Sequence, residues 1–422
     1  MVMRRFYAPM LALLVVVGLT ACAPPAQTFS SVQGAPPPQE EIAELRERFP
    51  APPFDFPTAP PSEGSGTSDD PWQLSTPEQL AWMADPDHPD RLAGYYILVN
   101  DITAPDSLVI ALPVDVMIDR EARAPYGFQG NFYGNGYTIT VNIYLPYRNF
   151  VGLFGHIGVN GRVQNLNVVG SVEGGQAVGG LAGMNDGEVT DSSASVVLTG
   201  ERMLGGLIGG STGDIIDSSA TGNVSGTRTG GLVGENSGTV QGSYATGNVN
   251  SRGSAGGLVG RNWGGYVINS YASGDVVSSG GSVGGLTGSN VTLLVGGEVI
   301  DSHATGNVIG DIRVGGLVGV NEGIIHNSYA TGNVTGPRGA VGGLVGTAGG
   351  EISNSHASGN VTGSGSVGGL VGTGNGLVRD SSASGDARGQ SEVGALVGRD
   401  LLITVENSYG TGNVTIEGDD DA

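Results

Sequence analysis

The sequence predicts an all-β chain, a right-handed parallel β-helix (β-solenoid) of about 11–12 coils behind an N-terminal capping helix/strand module. Three observations carry this. A Gly-Leu pair, Ala-Leu at the last, recurs ten times, its Leu at 153, 181, 207, 232, 258, 286, 317, 344, 370 and 396, with gaps of 25 to 31 residues. A repeat of 20–50 residues marks a solenoid, propeller or array. Each repeat holds three short β-runs and no helical period: Val-Gly-Gly-Leu-Val-Gly, Ile/Val-x-Asn-Ser-Tyr-Ala and Gly-Asn-Val. A WD40 blade needs about 40 residues, so a repeat this short completes one β-helix coil instead. Composition agrees. Gly is 77 of 422 residues, aromatics are 6% and hydrophobics 38%, with no Gly-X-Y period, which leaves a core but excludes collagen. Handedness follows from the crossover rule. At about 4.8 Å per coil the rod measures about 55 Å.

From the N-terminus, residues 1–21 have a basic start, an apolar stretch and small residues at the end, the layout of a secretory signal. Leu19-Thr20-Ala21-Cys22 resembles the bacterial lipobox, and Cys22 is the only cysteine. The resemblance implies cleavage before Cys22, lipidation of it, and a membrane anchor. Ala23 after it points, by the same resemblance, to the outer membrane. Residues 22–65, rich in Pro and then Gly/Ser, read as a tether. Residues 66–149 read as the capping module and first coils. There Thr76, Pro77 and Gln79 have N-cap, N1 and N3 spacing, and Leu80, Trp82 and Met83 supply an apolar side. Strands are expected at 95–102 and 128–145. A helix ahead of them would cover the open sheet end, which is otherwise a template for aggregation. Residues 150–416 are the array and 417–422 an acidic tail.

Within a repeat, strict alternation from Ile325 would turn Tyr329 inward. A bend at Asn327 resets the phase, placing Ile325, Ser328 and Ala330 inside and Tyr329 outside. The bend column reads Asp191, Asp217, Gly242, Asn269, Asp301, Asn327, Asn354, Asp380 and Asn407, residue types that tolerate turn geometry. A corner column reads Asn223, Asn248, Asp275, Asn307, Asn333, Asn360, Asp386 and Asn413. Stacked Asn side chains there are expected to bond from coil to coil.

The formal charge is −22, there is no lysine, and all 18 basic residues are Arg. Such a surface is no partner for nucleic acid. No His is followed by Glu, which excludes the His-Glu-x-x-His zinc motif. His303 and His356 stand in the Tyr column two coils apart, about 10 Å, too far to share a zinc. No cofactor is expected, and the Asp residues of the corner columns leave calcium as the one open option. The interruption at 289–301 carries one internal carboxylate, Glu298, rather than the acid/base pair a glycan-cleaving enzyme needs. No catalytic or metal residue is assigned.

Two outward columns are candidates for ligand contact. One is Tyr244, Tyr271, Tyr329 and Tyr409, with His303 and His356 between. The other is an Arg row in the loops before five of the Gly-Gly-Leu triplets: Arg202, Arg228, Arg252, Arg313 and Arg338. Aromatic rings can hold sugars, and guanidinium groups can hold anionic glycans.

The recurrent Gly-Gly-Leu-Val-Gly and Asn-Ser-Tyr-Ala-Thr-Gly-Asn-Val resemble the GLUG (Gly-Leu-any-Gly) repeat family over about residues 150–416. That resemblance implies a bacterial surface protein. The expected function is a non-enzymatic, membrane-anchored β-helix for adhesion or ligand display, with a glycan or surface protein as partner. The alternatives are a carbohydrate-active β-helix enzyme and a purely structural envelope protein.

Overall fold

The computed structural model describes residues 55–111, 127–291 and 297–417, all within one compact unit spanning Pro38–Ala422. The signal segment, Cys22 and the acids at 418–422 lie outside the described residues, as does most of the tether. The fold is a parallel β-solenoid of about twelve turns. One wall is a 13-stranded parallel sheet that starts at Trp72–Leu74 and ends at Thr404–Glu406; another is a 10-stranded sheet from Phe154–Ile157 to Val397–Asp400. The remaining strands form parallel ladders that close each coil.

One coil shows how the repeat is spent on structure. It runs through strands Val318–Asn321, Ile324–His326, Tyr329–Ala330, Val334–Gly336 and Ala340–Gly342. Five short strands replace the three expected runs, because Gly-Gly-Leu and the Asn327 bend each break a run in two. The bend geometry is as expected. Asn327 has φ 48°, and every residue of its column has positive φ, from 45° to 60°. Left-handed backbone favours Asn, Asp and Gly. The phase resets there: Ile325, Ser328 and Ala330 are buried while Tyr329 is half-buried.

The Leu column from 153 to 370 is fully buried and forms one continuous core with the inward Val and Ile residues. A second, smaller core lies in a side lobe. There Val249, Val276, Val308, Val334 and Val361 pack against Val283, Val314, Val341 and Val367 across the Arg-bearing loops. Close coil stacking is why Gly recurs in Thr-Gly-Asn: a Cβ on Gly332 would lie 1.9 Å from the carbonyl oxygen of Gly306.

Three polar ladders run along the rod. At the corner, the Oδ1 of each residue accepts the backbone N–H of the next coil: Asn248 from Asp275 at 2.9 Å, Asp275 from Asn307 at 2.8 Å, Asn307 from Asn333 at 3.1 Å. The expected side-chain-to-side-chain ladder is therefore mainly a side-chain-to-backbone one. Since only an acceptor is needed, Asp and Asn interchange freely. In the second ladder each inward Ser accepts the N–H of the Ser one coil before, as Ser328 does from Ser302 at 3.1 Å. The third ladder is buried amide. Asn236, Asn262, Asn290 and Asn321 are all 0% exposed, and the Nδ2 of each of the first three donates to the next Oδ1 at 2.8–2.9 Å.

The N-terminal end is closed as expected. Helix α1 (Pro77–Ala84) has a full capping box between Thr76 and Gln79, with Pro at its start. Leu80, Ala81 and Met83 are buried in the main core, while Trp82 is partly buried and meets Trp72 edge-on at 5.2 Å. The expected strand at 95–102 is two, Tyr95–Leu98 and Ile102–Thr103. The interruption at 289–301 keeps register on both sides, through Thr287–Val291 and Glu298–Ile300; residues 292–296 lie outside the described residues.

Candidate functional site

Parallel in-register pairing forces outward side chains into columns. Tyr244, Tyr271, His303, Tyr329 and His356 form one continuous ring stack, with centroids 4.7–5.1 Å apart and planes within 5–9°. That spacing is the strand spacing itself. Each inner ring has both faces covered by its neighbours, which leaves ring edges, with the Tyr hydroxyls, as the surface on offer. Burial in the stack holds the His303 imidazole below its ordinary pKa. Tyr409 stands apart: Ser382 separates it from His356, and it is 62% exposed.

The Arg row divides. Arg338 is exposed and forms a fork with Asp311 at 2.7 and 2.5 Å, which raises its pKa. Arg252 is exposed on its loop. Arg228 and Arg313 are brought together with a residue the sequence reading missed, Arg261. These three wall a groove of about 180 Å³ whose floor and sides include Ser254, Ser282, Ser289, Val291 and Val320. Arg228 is half-buried and ion-pairs with Glu235 at 2.8 Å. Burial lowers its pKa, opposed by Glu235, while Arg202 and Arg261 lower it further. The Arg261 guanidinium lies 3.9 Å from the Trp263 ring centroid. Arg261 belongs to a different column from the row, level with Glu235 and Ser289 on the 10-stranded sheet. The signal was a basic residue in Gly-Arg-Asn-Trp, where neighbouring repeats carry Glu235, Ser289 and Val320.

A second groove, lined by Asp275, Val277, Asn307, Ile309, Asn333 and Thr335, is apolar between its polar corner ladder. One further polar cluster is internal. His156 is fully buried, its Nε2 2.9 Å from Asp186 Oδ2, and Asp186 Oδ1 accepts from Thr212 Oγ1 at 2.7 Å. An enclosed imidazole held this way orients the coil and reaches no substrate. Among the described residues no three His, Cys, Asp or Glu gather to hold a metal ion, and no helix is long and apolar enough to cross a membrane. The Asp residues of the corner ladder are committed to backbone N–H groups.

Four segments, residues 200–225, 251–277, 310–335 and 338–362, match the family model described as the GLUG motif. The chain carries GLUG repeats. The structure shows what each GLUG unit is, one coil with its Leu in the core. Over 144 residues, 32% of the chain, it is 37% identical to a protein of Evansella cellulosilytica that carries the name Gly-rich membrane protein. That match spans 15% of the relative's length. A solved structure named IgA1 Protease aligns over 58% of the chain and 20% of its own length, at 21% identity and a TM-score of 0.43.

Proposed function

We propose that this GLUG-repeat chain is a non-enzymatic surface rod, membrane-anchored through a lipidated Cys22, that adheres to or displays a face toward a glycan or protein. The observation that carries the reading is the division of labour between columns. Inward positions repeat because the ladders and core need them, while the outward positions at 261, 303, 313 and 356 vary. The name of the Evansella relative supports membrane association, and Ala23 favours the outer membrane. Neither groove presents the two carboxylates that a glycosidase needs on either side of a bond. The first has Glu235 beside it, tied to Arg228, and the second holds Asp275, whose Oδ1 accepts from Asn307.

Contact through the Tyr column would use ring edges and hydroxyls, with Tyr271 and Tyr329 inside the stack and Tyr409 alone at its far end. The test is retention of the folded chain on glycan and protein arrays, followed by product analysis. Retention with the ligand unshortened is the expected result. Shortened glycan products would overturn it in favour of an enzyme. Absence of any retention, with Tyr271→Ala and Tyr329→Ala altering stability alone, would overturn it in favour of a structural envelope protein.

A further inference from the structure

We infer that the groove walled by Arg228, Arg261 and Arg313 binds a short stretch of anionic polysaccharide, its guanidinium groups taking sulfate or carboxylate groups on successive sugars. The inference rests on the reading of the rod as a ligand-binding surface.

The distribution of partners singles this place out. In a chain of formal charge −22, most described Arg side chains find a carboxylate, as Arg162, Arg338, Arg379, Arg388 and Arg399 do. Among the described residues Arg202, Arg252, Arg261 and Arg313 form no ion pair, and all four fall in the stretch that builds the groove or flanks it. Two of them line it. Arg228, the third wall, is paired with Glu235, which neutralises that carboxylate. Uncompensated like charges brought together in a fold cost stability unless an anion joins them. The Arg261 guanidinium carbon lies over the Trp263 ring, 3.9 Å from its centroid, and a planar guanidinium fork suits sulfate and carboxylate oxygens. Ser254, Ser282 and Ser289 add hydroxyl donors.

Register decides between a single ion and a chain. Thr229 pairs with Ala255, Ala255 with Val283 and Val283 with Val314. Arg228 and Arg313 therefore sit three coils apart, about 14 Å along the rod, with Arg261 one coil from Arg228. One oxyanion cannot satisfy guanidinium groups spread that far. A run of sugars bearing anions can. The acidic remainder of the surface repels long polyanions, so short oligosaccharides are the right probe.

The experiment uses the full chain, a heparin hexasaccharide, its desulfated counterpart and inorganic sulfate. Affinity is read by calorimetry and by Trp fluorescence at about 0.15 M ionic strength. The sulfated hexasaccharide is expected to bind at least about tenfold more tightly than the desulfated one, a difference of about 1.4 kcal/mol. Arg261→Gln/Arg313→Gln is expected to weaken binding by a similar factor without lowering the urea midpoint. Arg379→Gln, whose partner is Glu351, is expected to change nothing. The inference is overturned if the wild type does not bind the sulfated sugar, if desulfation or the double substitution leaves affinity intact, or if inorganic sulfate binds as tightly as the hexasaccharide. Loss of the fold in the double variant would be met by the single Arg313→Gln, an exposed position, judged by the same criterion. If the wild type ignores the sulfated sugar yet is retained intact on other ligands, this inference falls and the surface rod stands. If any ligand is shortened, the surface-rod reading itself falls.

Discussion

Replacing Asn262 with Ala tests whether the buried amide ladder holds the rod together. Asn262 is 0% exposed and accepts from Asn236 Nδ2 at 2.9 Å. It donates to the carbonyl of Gly265 at 2.7 Å and to Asn290 Oδ1 at 2.9 Å. Truncation removes the donor for two acceptors next to the core, while Asn236 keeps its bond to the Gly238 carbonyl at 3.0 Å. An orphaned buried acceptor costs about 1–3 kcal/mol, so for two acceptors the expected loss is about 2–6 kcal/mol. Ala itself fits this column, as buried Ala348 shows one coil beyond Asn321. The effect should therefore come from polarity and not from shape. The assay is urea unfolding followed by circular dichroism, with hydrogen exchange of residues 236–290 because repeat arrays open locally. Exposed Asn250→Ala is the control. If Asn262→Ala shifts the midpoint no more than Asn250→Ala does, the ladder does not contribute as argued.

Three further outcomes follow from the columns. Asn327→Ala keeps a β-carbon at φ 48° but loses the amide that favours left-handed backbone and bonds to Asp301, so a loss of at least about 1 kcal/mol is expected. Asn327→Gly should recover the backbone part, as Gly242 does naturally in that column. Gly332→Ala drives a methyl into the Gly306 carbonyl, and overpacking against backbone is expected to lower stability by about 1–3 kcal/mol or more, seen as a lower urea midpoint. His303, with its pKa lowered by burial between two Tyr rings, takes up a proton more readily unfolded than folded. Its contribution to stability is full above the unfolded value of about 6.5 and is lost as pH falls toward the folded value. His303→Tyr should flatten that part of the pH–stability curve.

Much of the scaffold was legible in the sequence because stacking leaves its constraint in every coil. The Leu column needed burial, the Asp/Asn/Gly column needed left-handed backbone, and the small inward Ser328 and Ala330 needed the phase shift at Asn327. The hydrogen-bond partners were less legible. A column of Asn and Asp looks alike whether its oxygen meets a neighbouring amide or a backbone N–H, and the structure shows the latter. The buried ladder through Asn236, Asn262, Asn290 and Asn321 had its period in plain view, yet the expected run Val-Gly-Gly-Leu-Val-Gly stops short of it. The side lobe went unseen because Val334 and Val341 meet only when the loop at Arg338 folds over. Candidate contact residues were the hardest to place. Arg261 lies on another sheet from Arg228 and Arg313, and no spacing rule along one column joins them. The Tyr column was visible, whereas the covering of each inner ring face follows only from in-register pairing at strand distance.

The central claim is that coils are interchangeable as scaffold and that contact resides where they differ. Two in-phase deletions test it directly. Removing residues 345–370 joins Leu344 to Val371 and takes out 26 residues, one coil outside the Arg groove. Removing residues 287–317 joins Leu286 to Val318 and takes out 31 residues, with Ser289 and Arg313 among them. Retention on a sulfated-glycan surface, measured for both alongside urea unfolding, separates scaffold from site. The account predicts that both rods fold, that the first is retained like the full chain, and that the second is not. Equal retention of both, or unfolding of the first, would contradict it.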